Sequence, residues 1–113
     1  MSSIHFYIPR VAARAVNFPA IRAAARKAGV TRASVAYSDY QSVRGRTRIT
    51  CAPEIALLLV AELRVIAAAA TELRNTELLI ACANGISAAF KAIDEERARS
   101  VDVSPMSDIE SAG

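Results

Sequence analysis

Seven basic side chains are spaced so that they could meet a row of phosphates. Arg22, Arg26 and Lys27 share one helical segment, Arg32 follows it, and Arg44, Arg46 and Arg48 recur at alternate positions. Residues four apart share one side of a helix, and residues two apart share one face of a strand, so both spacings aim charge in one direction. The chemistry this permits is electrostatic: displacement of counterions from a polyanion, with binding that weakens as salt rises. Groups capable of covalent or metal chemistry lack the spacing for it. His5 is the sole histidine and has no nucleophile or second ligand beside it in sequence. Cys51 and Cys82 show no metal-ligand spacing and read as small core residues. Asp94, Glu95 and Glu96 are consecutive and diverge around a helix, and no glycine-rich phosphate loop is present. The expectation is a non-enzymatic protein with no catalytic residue, bound metal or cofactor.

Charge is distributed unevenly along the chain. Residues 1–50 carry nine Arg or Lys against the single acid Asp39, a net +8, whereas residues 51–113 carry five basic against ten acidic groups, a net −5. The overall +3 conceals this dipole. A basic half suits nucleic acid, an acidic protein partner, or the acidic half of a second copy. At 113 residues the chain is long enough for a single domain with its own core. With three Phe, three Tyr and no Trp, that core must be built from Ala, Val, Leu and Ile, which bury little area each and favour oligomerisation. Two scattered cysteines and no charged-then-apolar leader point to the cytoplasm. Glu62 and Arg64 interrupt the longest apolar run, so no membrane span is expected.

The elements that must position these groups follow from periodicity. Ile4, Phe6 and Ile8 alternate with His5 and Tyr7, which predicts a strand over 3–8 ended by Pro9. Arg10 to Val16 can make a short helical turn, and Asn17 can cap a basic helix over 18–28 that Gly29 closes and Val30 covers. Ile21, Ala24, Ala25 and Ala28 form its apolar stripe. Residues 33–40 hold β-branched and aromatic residues without Leu, Glu or Lys, and predict a second strand. A turn at Gly45 then leads to a third, 46–51, with Thr47, Ile49 and Cys51 inward and Arg46, Arg48 and Thr50 outward.

From Ala20 the letters AIRAAARKAGVTRASVAY resemble the helix-turn-helix of LacI-type and TetR-type repressors. Ala25 stands at the small-residue position of the first helix, Gly29 and Val30 at the turn, and Val35 where the second helix returns to the core. The resemblance implies a recognition helix whose Thr31, Arg32, Ser34 and Tyr37 face the major groove. The arginine-bearing strand followed by Pro53-Glu54 and a helix is also similar to ribbon-helix-helix repressors, although this helix is longer than theirs.

Pro53 to Arg74 predicts a long helix with Ile55, Ala56, Leu59, Val60, Leu63, Ile66, Ala67, Ala70 and Leu73 on its core arc. Leu57, Leu58, Ala61 and Val65 on the other side call for a second packing partner. Glu62, at the arc's edge, is expected in an interhelical salt bridge. Asn75 or Thr76 can cap a further helix ending near Ser100, with Leu79, Cys82, Ile86, Ala89, Phe90 and Ile93 as its stripe. Ala81, Gly85 and Ala89, four apart, would permit close approach of a neighbour, although Gly85 could also kink the helix. The tail from 100 to 113, with Pro105 and net negative charge, is expected to be disordered.

The architecture implied is helix-rich α+β: a βαββαα chain with a small sheet and a long antiparallel C-terminal helical hairpin. Residues 1–99 make one domain, divided into a basic part (1–52) and the hairpin (53–99). The all-α alternative keeps the hairpin and turns residues 9–41 into a DNA-binding head. On either arrangement the expected function is a small regulatory or nucleic-acid-binding protein, homo-oligomeric through its C-terminal helices. Arg22, Arg26, Lys27, Arg32, Arg44, Arg46 and Arg48 would make its contacts. A module docking its basic face on an acidic protein is the alternative function.

Overall fold

The computed structural model describes residues 3–30, 35–38 and 45–103. The chain runs β1 (Ile4–Pro9), α1 (Arg10–Ala15), α2 (Phe18–Lys27), β2 (Val35–Ser38), β3 (Arg46–Cys51), α3 (Pro53–Glu72) and α4 (Thr76–Val103). This is the helix-rich α+β arrangement, with the short α1 added where a helical turn was expected. Both neighbouring strand pairs in the sheet are antiparallel, in the order β1-β3-β2. Within 33–40, Val35–Ser38 form the predicted strand; 33, 34, 39 and 40 lie outside the described residues. Strand pairing at 35–38 selects the α+β arrangement over the all-α one.

Local signals explain most element ends. Oδ1 of Asn17 accepts from the Ala20 N–H at 3.1 Å, capping α2, and Pro19 sits in its first turn, where an N–H is not needed. Gly29 takes φ +88° after the last turn. The Val30 N–H then reaches the Ala25 carbonyl and the Gly29 N–H reaches that of Arg26, so two otherwise orphaned acceptors are satisfied. The same device ends α3, with Arg74 at φ 57° in the glycine position and the Asn75 N–H bonded to the Ala70 carbonyl. Oδ1 of Asn75 at once caps α4 by accepting from Leu78. A three-residue turn thus reverses the chain and builds the hairpin.

Alternation decides the two faces of the sheet. Ile4, Phe6 and Ile8 of β1 and Thr47, Ile49 and Cys51 of β3 are buried, while His5, Tyr7, Arg46 and Arg48 are exposed. All described helices join the core on the buried side. The helix that lies on β1 is α4, which also packs on α1 and α3; α3 in turn packs on α2. The predicted core arc of α3 holds at Ile55, Ala56, Leu59, Val60, Leu63 and Ala70, with Ile66 and Ala67 half-buried. Leu73 departs from it at 77% exposed, because the helix has ended at Glu72 and the left-handed Arg74 carries the chain outward.

The seam of α4 is rotated from the predicted stripe toward its small residues. Ala81, Cys82, Gly85, Ala89, Ala92 and Ile93 are buried, whereas Phe90 is 36% exposed beneath the Arg64 guanidinium, 5.8 Å from the ring centre. Gly85 does not break the helix. A Cβ there would lie 3.2 Å from Cδ1 of Leu63 and 3.3 Å from Cγ2 of Ile8, so α4 packs closely on both elements and a side chain at 85 would push its neighbours aside. The Thr76–Arg99 stretch has the length and apolar composition of a membrane span, a property shared with core helices, and these six residues of it are buried within the fold. The helix runs on to Val103 rather than ending at Ser100, and 104–113 lie outside the described residues.

Gly85→Val is expected to lower unfolding free energy by about 1–3 kcal/mol, the usual penalty for overpacking a full core. The check is urea titration, in which the midpoint falls while the dependence on denaturant stays the same. An unchanged midpoint would show that α4 stands away from β1 and α3.

Candidate nucleic-acid interface

The face of the sheet opposite the helices presents a compact set of polar side chains. In the β1–β3 register His5 is opposite Thr50, Tyr7 opposite Arg48, and Pro9 opposite Arg46. Residues directly opposite share a face and lie within side-chain reach. Nδ1 of His5 and Oγ1 of Thr50 are 3.1 Å apart and share a hydrogen bond, which accounts for the histidine as a cross-strand partner. Arg46 and Arg48 are exposed, and neither side chain makes an ion pair or a hydrogen bond among the described residues. No acidic residue occurs in β1, α1, α2, β2 or β3. The described acids are all on α3 and α4.

The predicted contact residues fall into two groups. Arg46 and Arg48 stand together on the open sheet face. Arg22, Arg26 and Lys27 stand on α2, which buries Phe18, Ile21 and Ala25 and belongs to the helical layer. Arg26 and Lys27 are exposed in its last turn, where they also favour the negative end of the helix dipole; Arg22 is half-buried. The two groups share neither an element nor a layer. Arg32 and Arg44 lie outside the described residues, as do Thr31 and Ser34, and Tyr37 lies in β2 opposite Ile49. Sequence reasoning passed over Tyr7. Its signal was its outward parity in β1, but only the register shows that it stands beside Arg48.

The rest of the titratable inventory has structural surroundings. Burial pushes the Cys51 thiol up from an ordinary 9.0 to about 12, and burial also raises that of Cys82. Neither forms a disulfide. Glu62 makes no salt bridge among the described residues; it is half-buried in a groove of about 230 Å³ between α2 and α3, lined by Ala20, Ile21, Ala24, Leu58 and Val65. The missing partner has a geometric cause: α2 brings alanines to that groove, and the nearby Arg64 is turned to Phe90. Glu96 pairs with Arg99 along α4. Among the described residues no three His, Cys, Asp or Glu side chains converge on a metal-sized point.

No protein-family model, curated protein or solved structure matches the chain.

Both thiols are expected to resist iodoacetamide in the folded protein at neutral pH and to react fully in denaturant, as read by mass spectrometry. The pH dependence has a definite sign. The folded pKa of Cys51 is raised, so the unfolded chain loses its thiol protons first, and this contribution to stability is complete below about pH 8.5 and declines as pH rises toward 12. Denaturation midpoints that stay level across that window would contradict it.

Proposed function

We propose that this chain is a small, non-enzymatic nucleic-acid-binding protein with a regulatory role in the cytoplasm. The observation that carries the reading is the open antiparallel sheet face, where Arg46 and Arg48 stand without carboxylate partners among the described residues and Tyr7 offers a ring beside Arg48. An exposed sheet bearing cations and an aromatic suits single-stranded nucleic acid: arginines take the phosphates, and a base stacks on the ring. Arg22, Arg26 and Lys27 on α2 supply a second stretch of positive surface for a longer strand. The placement in a reducing compartment is supported by two buried thiols that are not joined.

Retention on a single-stranded oligonucleotide at low salt is expected, with log affinity falling linearly against log salt. Each phosphate contact contributes about 0.7 to that slope for single strands, so Arg46→Ala with Arg48→Ala is expected to reduce it by about 1.4. Absence of binding at low salt would sink the proposal. Recovery of one acidic protein in equal yield before and after nuclease treatment would favour a protein target instead.

Oligomerisation through the C-terminal helices belongs to the same proposal. Among the described residues the hairpin exposes Leu57, Val65 at 66%, Leu73 and Ile80, and the basic part Tyr7 and Val11. Exposed apolar side chains on these two helices can meet their own copies across a two-fold axis, and a second copy is the occupant proposed for them. Val65→Glu is expected to convert a dimer to a monomer in sedimentation velocity. A wild-type chain that sediments as a monomer at its highest soluble concentration would refute this part.

A further inference from the structure

Where the outer edge of β1 meets α4, the two layers leave a half-open cleft of about 300 Å³. Tyr7, Pro9 and Arg46 form its sheet side, and Asn84, Ser87 and Lys91 its helix side. Asn84, Ser87 and Lys91 recur at helical spacing, so one side of α4 presents an amide, a hydroxyl and an ammonium in succession. Arg46 reaches the same space from the end of β3 that pairs with Pro9. The two cations therefore come from elements remote in sequence and are brought together only by the docking of α4 on β1. Among the described residues no carboxylate lines the cleft, and neither Arg46 nor Lys91 makes an ion pair. Its volume lies at the small end of ligand sites.

We propose that this cleft is a binding site for a phosphate monoester. Two positive groups match a dianion, the arginine fork can take two of its oxygens, and the Asn84, Ser87 and Tyr7 side chains can donate to the remaining lone pairs. Half-buried Pro9 and Ala88 bound the site with apolar surface on the sheet and helix sides. Asp94 and Glu95 line the adjoining depression, which shares Ser87 and Lys91 with the cleft. Their negative charge, on the same turn of α4 as Lys91, opposes the binding of a dianion. The phosphate can arrive on a small phosphoester or as the terminal phosphate of a nucleic acid. The site stands whether or not the sheet face binds a strand, because Lys91, Asn84 and Ser87 take no part in that reading.

The test is amide NMR of the full chain titrated with inorganic phosphate and with a nucleoside monophosphate, at ionic strength held constant with sodium chloride. Saturable shifts at Asn84, Ser87 and Lys91 are expected, absent with the unphosphorylated nucleoside. Lys91→Gln is expected to weaken binding about tenfold, as loss of one charge-assisted contact does. The side chain is exposed, so the fold survives the change. Asp94→Asn with Glu95→Gln is expected to tighten binding. Equal shifts from chloride or from the bare nucleoside would overturn the site, as would undiminished affinity in Lys91→Gln. Displacement of inorganic phosphate by a 5′-phosphorylated oligonucleotide, and not by its hydroxyl-ended twin, would support the site with nucleic acid as the source. Tighter binding of the mononucleotide than of the oligonucleotide would support it with a small phosphoester as the source. Arg48→Ala separates the two readings: it is expected to weaken strand binding and leave phosphate binding at the cleft intact.

Discussion

The approach of α4 to β1 at Gly85 is the constraint on which the rest of the fold depends. At that point the helix backbone lies directly over Ile8 and against Leu63, both fully buried, and leaves no room for even a methyl group without displacement. Dispersion and apolar burial at such short range compensate for a core with few aromatics, since small residues lose area individually but gain contact through proximity. Once α4 is seated there, one face of the sheet is closed. The pleat then leaves every second residue of β1 and β3 to the solvent.

That enforced alternation is what turns arginines in a strand into a surface. A pleated strand with Thr47, Ile49 and Cys51 inward must place Arg46 and Arg48 outward, and antiparallel pairing sets Tyr7 beside Arg48. Among the described residues, mutual repulsion between these cations is not relieved by an ion pair, and the acids stand on α3 and α4. Unneutralised charge on a firmly packed sheet costs some stability and raises the local potential, an arrangement that gains from an incoming anion. The same docking contact that closes the core also forms the cleft between β1 and α4, so the core and the candidate sites share one cause.

Much of this was legible because it is local. Alternation in IHFYI and RTRITC, the Asn17 and Asn75 caps, the Gly29 terminator and the apolar arc from Ile55 to Ala70 each depend on residues only a few positions apart, and each took its expected form. Most failures came where the partner lay far along the chain. The row of Ala81, Gly85 and Ala89 announced a close neighbour, but not that β1 would supply it along with α3. Glu62 looked like half of an ion pair until α2 brought alanines to it, and Phe90 looked like core until Arg64 covered it instead. Leu73 kept the helical period of the residues before it, yet lies past the end of α3.

Composition and periodicity alone determined the segregation of charge, the long helical hairpin and the inward or outward parity of the β1 and β3 residues, because these follow from bond geometry and hydrogen-bond spacing within a segment; the pairing of 35–38 then selected α+β over the all-α alternative. Tertiary structure alone decided which helix covers the sheet, that Arg46 shares a cleft with Lys91, and that the basic residues of α2 and β3 occupy separate layers. Those outcomes depend on how closely two distant backbones can approach, and a linear string does not contain that distance.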